Sequence, residues 1–370
     1  MNINAQLQTI LVFNQGENYL SFANTAGKRW LMPEREMHVA MLLYQPSGWK
    51  GKWLKWALPS LYWNPWVLRL LHAERLRLSL SEELRRLLEY TFGESGLEFA
   101  VFCGTPCVHQ KITIQVYRGD RILGYVKVTA SEDIARVFAH EETVLQQLHE
   151  RGVDGIPECR YCGTLTNGLW VFVQTTRKTM RSGVLHGWTG RHAQFLEDLH
   201  EKTLWEGDFE QTDFYRDLRR LEARLPELAE GKYLEAIIRD VMAAYVGRRV
   251  QFSAFHADFT PWNMFLEEGK LFVFDWEYAR MSYPPRLDEF HYLVQTAVFE
   301  KHFTAIEIVN RFKVKRAELN SLFGDSKQSF ICYLLAILSI YVGREKENIE
   351  SETLERIAFW VDLLKKINCL

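Results

Sequence analysis

Cysteine is scarce in this chain. Six of them (Cys103, Cys107, Cys159, Cys162, Cys332 and Cys369) in 370 residues are too few for a disulfide scaffold and fit a reducing compartment. Net charge is nearly absent as well: 45 Lys and Arg against 47 Asp and Glu leave −2, without the basic excess that nucleic acid asks for, so no nucleic-acid partner is expected. The longest nearly apolar run, Ser329 to Gly343, falls short of the ~20 residues that span a bilayer and reads as a buried helix. Met1 to Val12 carry no Lys or Arg ahead of an apolar block, so no secretory signal is read there and a cytoplasmic location is expected. No internal repeat stands out. What is present is ordinary globular composition, 47% hydrophobic and 25% charged, at a length that suits two or three domains with a cleft between lobes.

Residues 1–95 read as an N-terminal extension. Strand-like runs at Thr9 to Phe13 and Tyr19 to Ala23 flank a turn at Gly16, after which the chain becomes basic and rich in tryptophan. Trp49, Trp53, Trp56, Trp63 and Trp66 are interleaved there with Lys50, Lys52, Lys55 and Arg69. Such a segment suits an anionic membrane surface, with indoles at the headgroup level and lysines near phosphates. Packing of the indoles on a neighbouring lobe is the commoner use of these residues, and Pro59 and Pro65 interrupt any long helix. Peripheral membrane contact through 49–72 is the rarer of the two expectations. Ser79 and Glu82 then have the spacing of a capping box, for a helix with Leu84, Leu87, Leu88 and Thr91 on one face and Gly93 as its stop.

Residues 96–176 have the texture of a small antiparallel-sheet lobe. The β-rich runs Leu97 to Cys103, Lys111 to Tyr117 and Ile122 to Thr129 precede a helix from Glu132 to His149 behind Ser131, and two further strands follow at Cys159 to Leu165 and Leu169 to Gln174. Residues 177–370 are mostly helical by periodicity, with helices over Ala193 to Leu204, Phe214 to Leu228 and Tyr233 to Tyr245. Two short strands interrupt them, Val250 to Phe255 and Leu271 to Phe274, and each runs into an aspartate.

The chemistry is concentrated in His256-Ala257-Asp258-Phe259-Thr260-Pro261-Trp262-Asn263, followed 17 residues after Asp258 by Asp275-Trp276-Glu277. Phosphoryl transfer needs an oriented hydroxyl and metal ions that neutralise phosphate oxygens, with little covalent help from protein. Asp258 is the residue to accept the hydrogen bond of the hydroxyl. Asn263 and Asp275 are hard oxygen ligands of the kind Mg²⁺ takes.

On these residues and the Asp275-Trp276-Glu277 triplet, the chain resembles the aminoglycoside phosphotransferase and choline kinase family, a branch of the protein-kinase-like fold that phosphorylates small molecules. The resemblance spans roughly residues 97–370. It implies an α+β, two-lobed fold, with a larger mainly helical lobe and ATP bound between the lobes with Mg²⁺. It also implies a lysine on the third strand of the small lobe, paired with a glutamate on the next helix. Lys127 stands in that strand, and Glu141 falls on the apolar stripe of Ile134, Val137, Phe138, Leu145 and Leu148, where a carboxylate needs a partner. Glu142 is the next choice, turned off the stripe. The pair would hold the nucleotide's α- and β-phosphates.

The phosphate loop departs from the protein-kinase pattern. Cys103-Gly104-Thr105-Pro106-Cys107 has one glycine, so Gly104 and Thr105 are assigned to nucleotide binding only through their backbone amides. Asp288 matches a family aspartate that supports the catalytic loop, and a helix N-cap explains it equally well. The few residues between the triplet and Pro284-Pro285 leave no room for a long activation segment, which points to a small-molecule hydroxyl substrate of the amino sugar, sugar or amino alcohol class. Glu206, Asp208, Asp213 and Asp288 are acids that would favour a cationic one. Cys159-x-x-Cys162 with Cys103 and Cys107 admits a zinc reading, less favoured than small apolar residues in strands. His200 and His291 read as core or surface histidines. The competing class is a non-catalytic, kinase-like module that binds nucleotide or a partner.

Overall fold

The computed structural model describes residues 2–46, 48–107, 109–345 and 349–370. The chain divides into two compact units, the first comprising Met1–Gln146, Ile156–Gly183 and Glu267–Phe272, the second the remainder.

The first unit is built on one eight-stranded antiparallel sheet. Its chain order is α1 (Ile3–Ile10), β1 (Leu11–Ala23), β2 (Arg29–Pro33), α2 (Met37–Ala40), α3 (Trp49–Leu61), α4 (Pro65–Leu70), β3 (Glu74–Leu80) and α5 (Glu82–Phe92). Then come β4 (Glu98–Phe102), β5 (Ile112–Arg118), β6 (Arg121–Thr129), α6 (Glu132–Glu150), β7 (Cys159–Thr164) and β8 (Trp170–Thr175). The sheet order is β3-β1-β2-β4-β5-β6-β8-β7. Three strands, a helix and two strands thus follow in the expected order. The first 95 residues are not a separate extension, because β2 pairs with β4 through Trp30 opposite Phe102 and Leu31 opposite Val101. Alternation then sends neighbours to opposite faces. Leu31, Val101, Ile114 and Val126 join Leu7 and Ile10 of α1 and Leu84 and Leu88 of α5 in one core, while Trp30, Met32 and Ala100 meet Met37, Val39 and Leu58 in another.

Three local expectations are corrected here. Thr9 and Ile10 end a helix that Asn2 caps by accepting from the Ala5 amide at 2.9 Å. The turn at Gly16 is a bulge inside the single strand β1, whose register shifts between Phe13 and Glu17. Gly16 has φ +88°, and a Cβ there would lie 2.3 Å from the carbonyl oxygen of Leu78, so glycine is required by both conformation and space. Ser79 lies in β3 and caps nothing; α5 begins after Ser81, whose side chain makes no capping bond, and stops at Gly93 with φ 68° as expected.

The second unit is mainly helical: α7 (Gly190–Thr203), β9 (Trp205–Asp208), α8 (Asp213–Arg224), α9 (Gly231–Tyr245) and β10 (Arg249–Phe255). These lead to β11 (Met264–Glu267) and, after β12 (Lys270–Val273), most of which belongs to the first unit, to β13 (Arg280–Tyr283), α10 (Leu287–Gln295), α11 (Ala305–Phe323), α12 (Ser326–Arg344) and α13 (Ser351–Asn368). Helix α8 ends before the expected Leu228 because Pro226 turns the chain into a 3-10 segment. The apolar run read from the sequence is α12, started by the Asp325 side chain accepting from the Lys327 and Gln328 amides and buried at every position from Ile331 to Ile340. Around it pack Phe290 of α10, Phe312 of α11, Trp360 of α13 and Leu221 of α8.

Candidate active site

In the second unit, β10 is the middle strand of the sheet β13-β10-β9, and it delivers the chain at Phe255 into the His256–Asn263 segment. The turn is held from below. Asp288, buried near the start of α10, accepts from the His256 amide at 2.8 Å through Oδ2 and from the Ala257 amide at 3.2 Å through Oδ1. These bonds fix Ala257 at φ 68°, a left-handed conformation that costs a non-glycine residue roughly 1–2 kcal/mol. Asp288 is therefore a support of this loop; the N-cap position of α10 belongs to Arg286. Burial raises its carboxyl pKa well above the ordinary range, against the two amide bonds that favour the ion.

His256 is fully buried and holds the loop from within. Its Nδ1 accepts from the Asp258 amide at 3.1 Å, so the neutral ring carries its proton on Nε2 and donates to the Phe274 carbonyl at 3.2 Å. Burial lowers its pKa to about 4. With the unfolded value near 6.5, the unfolded chain takes up the proton first, so this group's contribution is full above about pH 6.5 and is lost as pH falls toward 4. The loss amounts to about 3 kcal/mol. Glu289, buried nearby and pushed up to about 7, acts with the opposite sign, losing stability as pH rises from its unfolded value toward 7. The readout is thus a difference: between pH 6.5 and 4.5 the melting temperature of the wild type should fall more steeply than that of His256→Gln. Parallel slopes would remove His256 as the titrating group.

Asp258 itself is partly exposed, and both its oxygens have neighbours. Oδ2 accepts from Asn263 Nδ2 at 2.7 Å, and the same amide nitrogen reaches the Asp258 carbonyl at 3.0 Å. Oδ1 lies 3.5 Å from His291 Nε2. A carboxylate has about four lone-pair sites, so a substrate hydroxyl can still donate to it. The second strand brings its aspartate alongside: the Phe274 amide donates to the Asn263 carbonyl at 3.0 Å, and Asp275 follows at φ 70°. Trp276 anchors this turn, fully buried, with its indole donating to the Val273 carbonyl at 3.0 Å and its ring 4.4 Å from that of His256.

In the first unit, Lys127 sits on β6 between Thr113 of β5 and Phe172 of β8. Its Nζ donates to both oxygens of Glu141, at 2.7 and 3.0 Å, and lies 5.5 Å from the centre of the Phe172 ring. Both residues are buried, Glu141 completely. The partner read from the helical stripe is thus the one the structure brings to Lys127.

Other expected residues have different surroundings. Gly104 adopts φ +80°, and a Cβ there would lie 2.3 Å from the Lys111 carbonyl oxygen, so the β4–β5 turn itself demands glycine; Thr105 is exposed. Asp213 is engaged internally, accepting from the Met281 amide at 3.0 Å and Ser282 Oγ at 2.9 Å. Glu206 and Asp208 are exposed, Glu206 beside Arg249, while Asp288 is under the loop, so two of the four expected acids remain at the surface. The Cys159 and Cys162 thiols are both pushed up to about 12 by burial and by Glu142, as expected of protonated, small apolar side chains in a strand. His291 and the positioning role of His256 were missed. His291 is three residues after Asp288 on α10, on the same helix face, and that spacing was the available signal.

Residues 126–285 match the family model described as the phosphotransferase enzyme family. No curated protein matches the chain in sequence. Among solved structures, the apo form of a thermostable mutant of the aminoglycoside phosphotransferase APH(4)-Ia is similar with a TM-score of 0.50 at 13% identity, over 76% of this chain and 97% of that one. A putative fructosamine-3-kinase from Haemophilus somnus 129PT gives 0.43 at 13% identity, over 78% and 96%. The D198A form of the same APH(4)-Ia mutant, in a ternary complex with ADP and hygromycin B, gives 0.48 at 14%, over 77% and 97%. Residues 126–285 are thus similar to the phosphotransferase enzyme family, and the chain has the protein-kinase-like fold of the aminoglycoside phosphotransferase APH(4)-Ia.

Proposed function

We propose that the chain is an ATP- and Mg²⁺-dependent kinase that moves the γ-phosphate to a hydroxyl of a small polar molecule of the amino sugar, sugar or amino alcohol class. The observation that carries this reading is the clamp on Asp258: a partly exposed carboxylate held by the Asn263 amide, on a loop fixed by Asp288 and His256. The acceptor hydroxyl donates to Asp258 while its oxygen lines up on the γ-phosphorus. The new O–P bond forms as the bond to the β–γ bridging oxygen breaks, ADP leaves, and the hydroxyl proton passes to Asp258. No covalent enzyme intermediate is needed.

The donor set suits Mg²⁺. Asn263 engages Asp258 through its amide nitrogen, so its carbonyl oxygen is the ligand atom it offers, and Asp275 adds a carboxylate. These two residues would hold the ion, which when bound neutralises charge on the phosphate oxygens. Lys127, fixed by Glu141, would bind the α- and β-phosphates, and the backbone amides at Gly104 and Thr105 would approach them.

The test is thermal stabilisation by ATP with and without Mg²⁺, in the wild type and in Asp275→Ala, because a ligand of the folded state raises its melting temperature by mass action. A metal-dependent rise of several degrees is expected in the wild type and its loss in the variant, together with ATP turnover that requires a hydroxylated acceptor. Absence of any shift at millimolar nucleotide overturns the reading.

A further inference from the structure

The tryptophans of α3 and α4 are not used in packing. Trp49, Trp53 and Trp56 recur at i, i+4 and i+7, one stripe of α3, and with Trp63 and Trp66 they are between 55% and 79% exposed. Leu70, at the end of α4, is 80% exposed. The other side of the same helices is already satisfied. Ala57 and Leu58 are buried, and Leu54, Tyr62, Val67 and Leu68 pack against the core of the first unit. These helices are therefore fixed to the sheet by one apolar side while a second, indole-rich side faces outward. Soluble monomers normally scatter exposed large apolar residues singly.

The charge around this side is of one sign. From Met37 to Ala73 the chain contains no aspartate or glutamate, whereas Lys50, Lys52, Lys55 and Arg69 all fall in that interval. Lys50, Lys52 and Arg69 are exposed beside the indoles, and the Lys50 ammonium lies 5.7 Å from the centre of the Trp49 ring. Over the whole chain charge is nearly balanced, with 45 basic against 47 acidic residues. A segment free of acids for 37 positions, carrying five exposed tryptophans, is a local departure.

We propose that the α3–α4 face is a docking surface for an anionic phospholipid bilayer, seated at the headgroup level. Indole rings are apolar bodies with one N–H donor, which suits the boundary between acyl chains and water. The lysines and Arg69 supply the electrostatic half of the attraction to anionic lipid. Helix α3 has 13 residues and α4 six, too short to span a bilayer of ~20 residues, so the contact is interfacial. Proline at position 59 and the α3–α4 junction break the indoles into two adjoining rows, and the Trp63 ring is fixed at that junction by donating to the Ser60 carbonyl at 2.9 Å. This inference rests on the first unit alone and is independent of the phosphotransfer reading.

The experiment is co-sedimentation of the full chain with vesicles of phosphatidylcholine alone and with vesicles in which phosphatidylglycerol replaces part of it, at low and high salt, alongside tryptophan emission. The wild type should pellet with the anionic vesicles at low salt, shift its emission to the blue, and be partly released by salt. Lys50→Ala and Lys52→Ala should each weaken binding roughly fivefold. Trp53→Ala combined with Trp56→Ala should weaken pelleting and reduce the blue shift, with an unchanged melting temperature because neither ring is in the core. Failure to pellet with anionic vesicles at low salt overturns the proposal, as does equal binding to neutral vesicles. Self-association in solution that the tryptophan variants abolish, with no vesicle affinity, would assign the face to a second copy of the chain instead.

Discussion

Asp258→Asn should lower phosphotransfer by about a thousandfold, the middle of the range for loss of a positioned acid–base group. At the same time it should leave the Mg²⁺- and ATP-dependent rise in melting temperature in place. The two halves of this expectation come from the same geometry. An asparagine at 258 keeps the planar shape and one oxygen, so it can still accept from Asn263 Nδ2, as Asp258 Oδ2 does at 2.7 Å. The loop above Asp288 is then undisturbed, because its anchors are the amides of His256 and Ala257. What the amide cannot do is take a proton from the acceptor hydroxyl. The comparison with Asp275→Ala is informative, since that variant should lose the nucleotide shift as well. If Asp258→Asn turned over at the wild-type rate, the carboxylate would not be the acceptor of the hydroxyl proton, and the clamp around it would be a structural device.

The parts of this chain that were legible from sequence are those whose constraints are local. Asp258, Asn263 and Asp275 lie within 17 residues of one another, just past the end of one strand, in a turn, and just past the end of a second strand, both strands marked plainly by hydrophobic runs. Glu141 was found because it interrupts an apolar stripe, and a buried carboxylate implies a partner. The first 95 residues resisted for the opposite reason. Strand β1 runs through Asn14 to Asn18, a polar stretch bulged at Gly16, so its two apolar ends read as separate strands. The pairing that joins it to the rest, Trp30 with Phe102, links residues 72 apart, and nothing local encodes that register. Thr9 and Ile10 read as part of β1 in the sequence because a short apolar run does not distinguish a helix end from a strand start. Asp288 had two equally good explanations until the amides that it receives, more than 30 residues earlier in the chain, were located. His291 shares a helix face with Asp288, a spacing visible in the sequence, but its relation to Asp258 exists only across the fold.

The second large effect concerns Lys127 and Glu141, and it separates structure from chemistry. Glu141→Ala removes two hydrogen bonds of 2.7 and 3.0 Å from a buried ammonium, in a site where neither side chain reaches bulk water. Breaking one side of such a pair is expected to destabilise the protein by about 3–5 kcal/mol, mostly because the remaining buried charge has lost its Glu141 partner. Lys127→Met should be milder, since methionine follows the same path past Phe172 and leaves a carboxyl that can protonate. Replacing both, Lys127→Met with Glu141→Leu, removes the charges together and fills similar volume with apolar atoms. This double variant should melt near the wild-type temperature and above Glu141→Ala, because an apolar replacement of a buried ion pair is commonly neutral or better. Phosphotransfer should not return with stability. If the ammonium holds the α- and β-phosphates, the double variant is a folded protein that lacks that cation, and its turnover should stay as low as that of Lys127→Met. A stable double variant with wild-type turnover would show that the pair only ties α6 to β6. The variant thus asks directly why an expensive buried charge pair stands at a position where hydrophobic residues would hold the lobe together equally well.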